Sequence, residues 1–103
     1  MLLQPHSHKP SSFHGTTIHT RPSSLIALAI MHGIDFEECN TGLDKCNFDF
    51  QFESEEGLYF TVYDWKEGRS VPLDSIIEFH IGTDEPGESR EAYNILVNEL
   101  KNL

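Results

Sequence analysis

The chain has 103 residues, a length typical of a single domain with a small core. Its 17 acidic residues outnumber its 7 basic residues, so the formal net charge is −10 at pH 7. This charge repels phosphate backbones and anionic membranes, which excludes ordinary nucleic-acid binding and favours a basic partner. The longest apolar run, residues 25–31, is far shorter than the roughly 20 residues of a membrane-spanning helix. With no signal-peptide pattern in residues 1–12, the sequence predicts a cytoplasmic protein.

Neither the cysteines nor the histidines form a ligand motif. Cys39 and Cys46 are expected to be free thiols in a reducing cytosol, because no disulfide framework is needed to explain the core. No CxxC or HxxxH pattern completes a metal site with them. The six histidines show no metal-binding spacing either. We therefore expect no metal and no cofactor.

The first half of the chain predicts a mobile tail, a strand and a helix. Residues 1–11 are rich in Pro, Ser and His without periodicity, which leaves residues 12–103 as the single ordered domain. Residues 12–20 are rich in β-branched side chains and predict a strand. Residues 23–32 predict a helix that is capped by Thr20 and ends at Gly33. Since this helix is apolar on nearly every side, it should be substantially buried, against a second layer or in a homodimer.

The second half predicts a hairpin, a further strand and a second helix. Residues 34–45 are interpreted as a polar connection, and residues 46–53 alternate strictly between apolar and polar side chains, as in a half-buried strand. Gly57 supplies the turn to a return strand over residues 58–65. A third strand over residues 75–83 and a helical spacing of leucines near the C-terminus complete the pattern.

The order of these elements is β-α-β-β-β-α. It predicts an α+β domain with an antiparallel sheet of about four strands and two helices packed on one face. If Leu58, Phe60 and Val62 face the core, then Tyr59, Tyr63 and Trp65 lie on the opposite face beside acids of the neighbouring strand.

A partner-binding surface is therefore predicted around the end of the return strand. Aromatic residues commonly anchor interfaces, and the acids would attract a basic partner. The predicted surface consists of Asp49, Glu53, Tyr59, Tyr63, Asp64, Trp65, Lys66 and Glu67.

Two alternatives remain open at the level of the sequence. A small-molecule pocket for a nucleotide-like ligand could lie between the sheet and the first helix, lined by His14, Thr16, Tyr63, Trp65 and His80. An acid–base enzyme could use His14 or His80. Because no nucleophile, zinc or phosphate-binding motif is present, we expect no enzyme and assign no catalytic residue.

The segments "FTVYDWKEGR" and "IIEFHIG", which follow an N-terminal "FHGTTI" and a helix, resemble small uncharacterised bacteriophage proteins. In those proteins a strand ending Tyr-Asp-Trp-Lys is followed by one ending His-Ile-Gly. The resemblance covers residues 13–82 and implies a viral origin, and therefore the cytosol of a host cell. Together with the acidity, it suggests an inhibitor that occupies a basic surface of a host or defence protein, in the manner of a DNA mimic.

Overall fold

The computed structural model describes residues 2–4, 13–38, 47–64 and 71–103. This part of the chain forms an α+β fold, which confirms the predicted class. No helix within it is long and apolar enough to cross a membrane. Its elements are, in chain order, β1 (Leu2–Leu3), β2 (Phe13–Thr20), α1 (Pro22–Met31), β3 (Phe36–Glu38), β4 (Phe48–Ser54), β5 (Tyr59–Tyr63), β6 (Ile77–Thr83), a short 3-10 turn (Pro86–Glu88) and α2 (Ser89–Lys101).

The strands form one antiparallel sheet in the order β1-β4-β5-β6-β2. The third strand, β3, also pairs with β4, next to Phe48 and Phe50, whereas β1 pairs with β4 at Glu53 and Ser54. Since β5 occupies the other side of β4, the two short strands share one edge of the sheet. The predicted strands correspond to β2, β4, β5 and β6; the described part contains β1 and β3 in addition.

The core lies between one face of the sheet and the two helices. The alternation of β4 places Phe48, Phe50 and Phe52 on this face, and the register sets Val62 opposite Phe50 and Phe60 opposite Phe52. The rings of Phe50 and Phe52 stack at a centroid distance of 6.1 Å. From the helices, the fully buried residues of this core are Leu25, Leu28, Ala29, Ala92 and Leu96.

Backbone conformation and backbone hydrogen bonds stabilise the two ends of helix α1. The N-cap position belongs to Arg21, without a side-chain cap, and not to the predicted Thr20. In the first turn, the backbone N–H of Ser23 instead donates a hydrogen bond to Leu73 O, in the loop before β6, at 2.9 Å. At the other end, Gly33 has φ +69°, which confirms the predicted left-handed residue after the helix.

The expectation that α1 is substantially buried is only partly correct. Its inner stripe is fully buried in the core, but Ile30 and Met31 are 69% and 56% exposed. The helix is apolar on both sides, yet the sheet covers only one of them.

Residues 2–4, which belong to the predicted mobile tail over residues 1–11, contact the folded domain. Leu2 is fully buried, pairs with Ser54 and donates its backbone N–H to His32 Nδ1 at 3.3 Å. Gln4 accepts a hydrogen bond from Asp35 N at 2.7 Å. The rest of the predicted tail, from residue 5 onward, lies outside the described residues.

The predicted polar connection over residues 34–45 contains the short strand β3. Ile34 is buried and Phe36 packs against the core, whereas Asp35 and Glu37 are exposed. This alternation is typical of a strand of which one face is covered. Both cysteines lie outside the described residues.

Candidate functional site on the polar face of the sheet

The face of the sheet away from α1 and α2 carries mostly polar side chains, and we call it the polar face. Its residues are those that alternate with the core positions along each strand. In the described strands they are Thr17 and His19 of β2, Glu37 of β3, Asp49, Gln51 and Glu53 of β4, Tyr59, Thr61 and Tyr63 of β5, and Glu78 and His80 of β6.

The strand register confirms the predicted neighbours of the tyrosines. Asp49 lies opposite Tyr63, and Glu53 lies opposite Tyr59. On its other side, Tyr63 lies opposite His80, and the two rings stack with centroids 5.7 Å apart and an interplanar angle of 24°. The tyrosine row therefore runs between acids of β4 and a histidine of β6.

The tyrosines are nevertheless not the exposed anchors that the sequence predicts. Tyr59 and Tyr63 are each only 8% exposed. Trp65, Lys66 and Glu67, which belong to the same predicted surface, lie outside the described residues.

Asp64 is also buried, and it stabilises the strand ends. Its side chain is fully excluded from solvent, and its Oδ1 accepts hydrogen bonds from Asn47 N and Phe48 N, both at 2.8 Å. Oδ2 is buried and has no hydrogen-bond partner among the described residues. Asp64 therefore connects the end of β5 to the start of β4. It was predicted to belong to the partner-binding surface, but its side chain is buried.

A cleft at the β3 edge brings carboxylates together. We call it the acidic cleft; it has a volume of about 380 Å³ and is lined by Gln4, Asp35, Phe36, Glu37, Asp49 and Gln51. Asp35 and Glu37 are exposed, and Glu37 lies directly opposite Asp49 in the β3–β4 pair. The arrangement thus concentrates carboxylates at this edge of the sheet, where they attract cations.

Phe36 also lines this cleft, but its ring lies on the core side of the sheet. The side chain is half-buried and its ring stacks on Phe50 with centroids 5.2 Å apart, so the core holds β3 in place. The carboxylates at this edge suit a guanidinium or ammonium group.

A second polar group lies at the β6–β2 side of the polar face. Glu78 approaches both His19 Nε2, at 3.7 Å, and His80 Nε2, at 3.8 Å. These distances permit an ion pair when an imidazole is protonated but are too long for a hydrogen bond. Within the described ranges, no group of three or more His, Cys, Asp or Glu side chains is arranged to hold a metal ion.

The register brings together two residues of the predicted small-molecule pocket, Tyr63 and His80, but not Thr16. A bulge between His14 and Thr16 sets Thr16 opposite Ile81, on the core side, whereas His80 lies opposite Thr17 on the polar face. Thr16 and His80 therefore point to opposite faces of the sheet. The side chain of His14 lies outside the described part of the structure.

Five residues of the acidic cleft are absent from the predicted site: Gln4, Asp35, Phe36, Glu37 and Gln51. The alternation of Ile34 and Phe36 with Asp35 and Glu37 is a signal that could have found β3 and with it three of these residues. Gln4 carries no such signal, because only the tertiary structure brings it to Asp35.

Comparison of the chain with protein-family models, with curated proteins and with solved structures gives no match. The function is therefore argued from the geometry of the chain itself.

Proposed function

We propose that the protein is a small acidic binding module whose acidic cleft receives a basic side chain of a protein partner. The observation that carries this proposal is the position of the exposed Asp35 and Glu37 side chains in one cleft at the β3 edge of the sheet. An arginine or lysine side chain fits this concentration of negative charge.

The exposed carboxylates of the cleft provide the attraction for a cation. A bound ammonium or guanidinium group would gain about 1 kcal/mol per carboxylate at 4 Å in a fully aqueous setting, and more when partly desolvated.

The charge of the whole chain supports the same kind of partner. A net charge of −10 attracts a basic surface over several ångströms and raises the rate of encounter. Such a partner could be a host or defence protein whose basic site normally binds nucleic acid, and occupation of that site would inhibit it. Binding of this kind requires no reaction and no cofactor.

Two variants of equal net charge test the proposal. The cleft variant Asp35→Asn/Glu37→Gln removes two carboxylates of the cleft, and the control variant Glu56→Gln/Glu91→Gln removes two exposed carboxylates from the hairpin turn and from α2. The probe is an arginine-rich peptide, and its affinity is measured by isothermal titration calorimetry at about 0.05 M and about 0.5 M salt.

We expect the cleft variant to bind the peptide about fivefold more weakly than the wild type, since each lost contact is worth roughly 0.5 kcal/mol. The control variant should stay within about twofold of the wild type, and the higher salt should weaken all three complexes. Equal weakening of both variants would mean that only the overall charge binds the peptide, and the cleft would then have no specific role.

A further inference from the structure

The edge of the sheet opposite the acidic cleft is formed by β2. This strand is the last in the strand order, and its outer side pairs with no strand in the described part of the chain. It has 8 residues, "FHGTTIHT", without a single Asp, Glu, Lys, Arg or Pro. Charges, prolines and short length are the usual devices that prevent an edge strand from pairing with another chain. Within the described residues, the bulge between His14 and Thr16 is the one such device in this strand, and it leaves Thr16–Thr20 regular.

A groove follows this edge. It has a volume of about 400 Å³ and lies between β2 and α2, and we call it the edge groove. The strand contributes four consecutive residues, and the helix contributes residues at the spacing of one helical face. The lining is Thr17, Ile18, His19, Thr20, Tyr93, Val97, Leu100 and Lys101. No carboxylate lines this groove, although the chain as a whole has a net charge of −10.

We infer that the edge groove is the interface with a second copy of this chain, in which the two β2 strands pair antiparallel about a two-fold axis. Pairing would satisfy the outward backbone groups of Thr16–Thr20 and continue the sheet across both copies. The two α2 helices would then lie side by side above the two paired strands.

The dimensions of the layers agree with this arrangement. Helix α2 packs over both β2 and β6, so its axis lies about half a strand spacing inside the edge. Neighbouring strands are about 4.8 Å apart, which places the two α2 axes about 10 Å apart in the dimer. Packed helices are separated by about 8–10 Å. The apolar side chains of Tyr93, Val97 and Leu100 would therefore meet their symmetry equivalents over the seam.

The charges favour a second copy over an acidic or basic partner at this place. Two acidic chains repel one another unless their contact surface is uncharged, and β2 is the long strand without fixed charge. Lys101 is the one fixed charge in the lining of the edge groove. Because Lys101 is at the end of α2 and the paired helices are antiparallel, the two lysines lie at opposite ends of the contact.

Analytical ultracentrifugation of the full chain tests this inference. The wild type should form dimers, and the dimer should become tighter between about 0.05 M and about 0.5 M salt, because salt screens the repulsion between the two acidic chains. Val97→Lys places a charge at the centre of the contact and should raise the dimer dissociation constant at least about tenfold. The matched control Ile30→Lys makes the same kind of change on the exposed side of α1 and should leave the constant unchanged.

Hydrogen exchange of the wild type provides a second measurement that does not depend on the folding of a variant. Raising the protein concentration should slow the exchange of amides in Thr16–Thr20. A chain that stays monomeric at all concentrations would overturn the inference. So would loss of the dimer in Ile30→Lys, or slowed exchange confined to α1, since both would place the contact on the other helix. The opposite salt dependence separates this test from that of the acidic cleft, whose peptide complex weakens as salt rises.

Discussion

The two edges of the sheet are protected in different ways. At one edge, β1 has 2 residues and β3 has 3, and two of the residues in β3 are acidic. At the other edge, β2 runs for 8 residues without a charged Asp, Glu, Lys or Arg side chain. Short and charged strands resist the addition of another strand, whereas long uncharged ones invite it. The difference suggests that the first edge binds a partner through charge and the second through its backbone.

The largest loss of stability is expected for Phe50→Ala, which removes a buried ring from the core next to β3. Phe50 is fully buried and lies between Phe36 of β3 and Phe79 of β6, with ring centroids at 5.2 Å and 6.5 Å. Loss of the ring should lower the free energy of unfolding by about 4 kcal/mol, measured by urea denaturation. The control Phe50→Leu retains most of the volume and should cost about 1.5 kcal/mol.

Phe50→Ala also tests whether the two edges of the sheet depend differently on the core. Because Phe36 loses its stacking partner, the amides of β3 should lose hydrogen-exchange protection more than those of β2. Equal loss at both edges would show that Phe50 supports the sheet as a whole and not the β3 edge in particular.

The next effect is expected for Asp64→Ala, which removes the acceptor of two buried amides at the start of β4. Leaving Asn47 N and Phe48 N without their partner should cost about 3 kcal/mol in urea denaturation. Because β3 pairs with β4 at Phe48, the acidic cleft should lose peptide affinity as well, whereas dimer formation through β2 should persist.

The control for this variant is Asp64→Asn, which keeps a carbonyl oxygen at the position of Oδ1 and should lose less than half as much stability. If Asp64→Asn proved as unstable as Asp64→Ala, the two hydrogen bonds to the backbone would not be the reason why Asp64 matters.

The smallest effect on stability is expected for Glu37→Lys, which puts a cation in the place of an exposed carboxylate of the acidic cleft. The free energy of unfolding should change by less than about 0.5 kcal/mol, because the side chain is exposed. The same change should weaken binding of the arginine-rich peptide more than Glu37→Gln does, since it brings a cation to the cleft. Unchanged binding of the peptide would contradict the role assigned to Glu37.

The periodic parts of the fold could be predicted from the sequence. The strict alternation of β4, the turn at Gly57 and the positive φ of Gly33 are properties of a few neighbouring residues, and the structure confirms all three. The position of Tyr59 and Tyr63 beside acids of the neighbouring strand was also predicted, whereas the register itself is known only from the structure. Very short strands such as β1 contain too few residues to show a period.

The candidate site was less predictable, because burial depends on residues far apart in the chain. Tyr59 and Tyr63 alternate with core positions, so the sequence predicts exposed side chains. In the structure each of them is only 8% exposed. Asp64 resembles a surface acid until its contacts with Asn47 N and Phe48 N are seen. The acidic cleft joins Gln4 to Asp35 across a separation that no local pattern reports.

The sequence by itself determined the acidic charge, the main helices and strands, and which side chains along each strand share a face, because side-chain direction follows from local backbone geometry. Only the tertiary structure decided which strands lie at the edges, which acids meet and which side of α1 is exposed. These features arise from pairing and packing between distant segments, and the free energy of those contacts is not encoded in any single stretch of the chain.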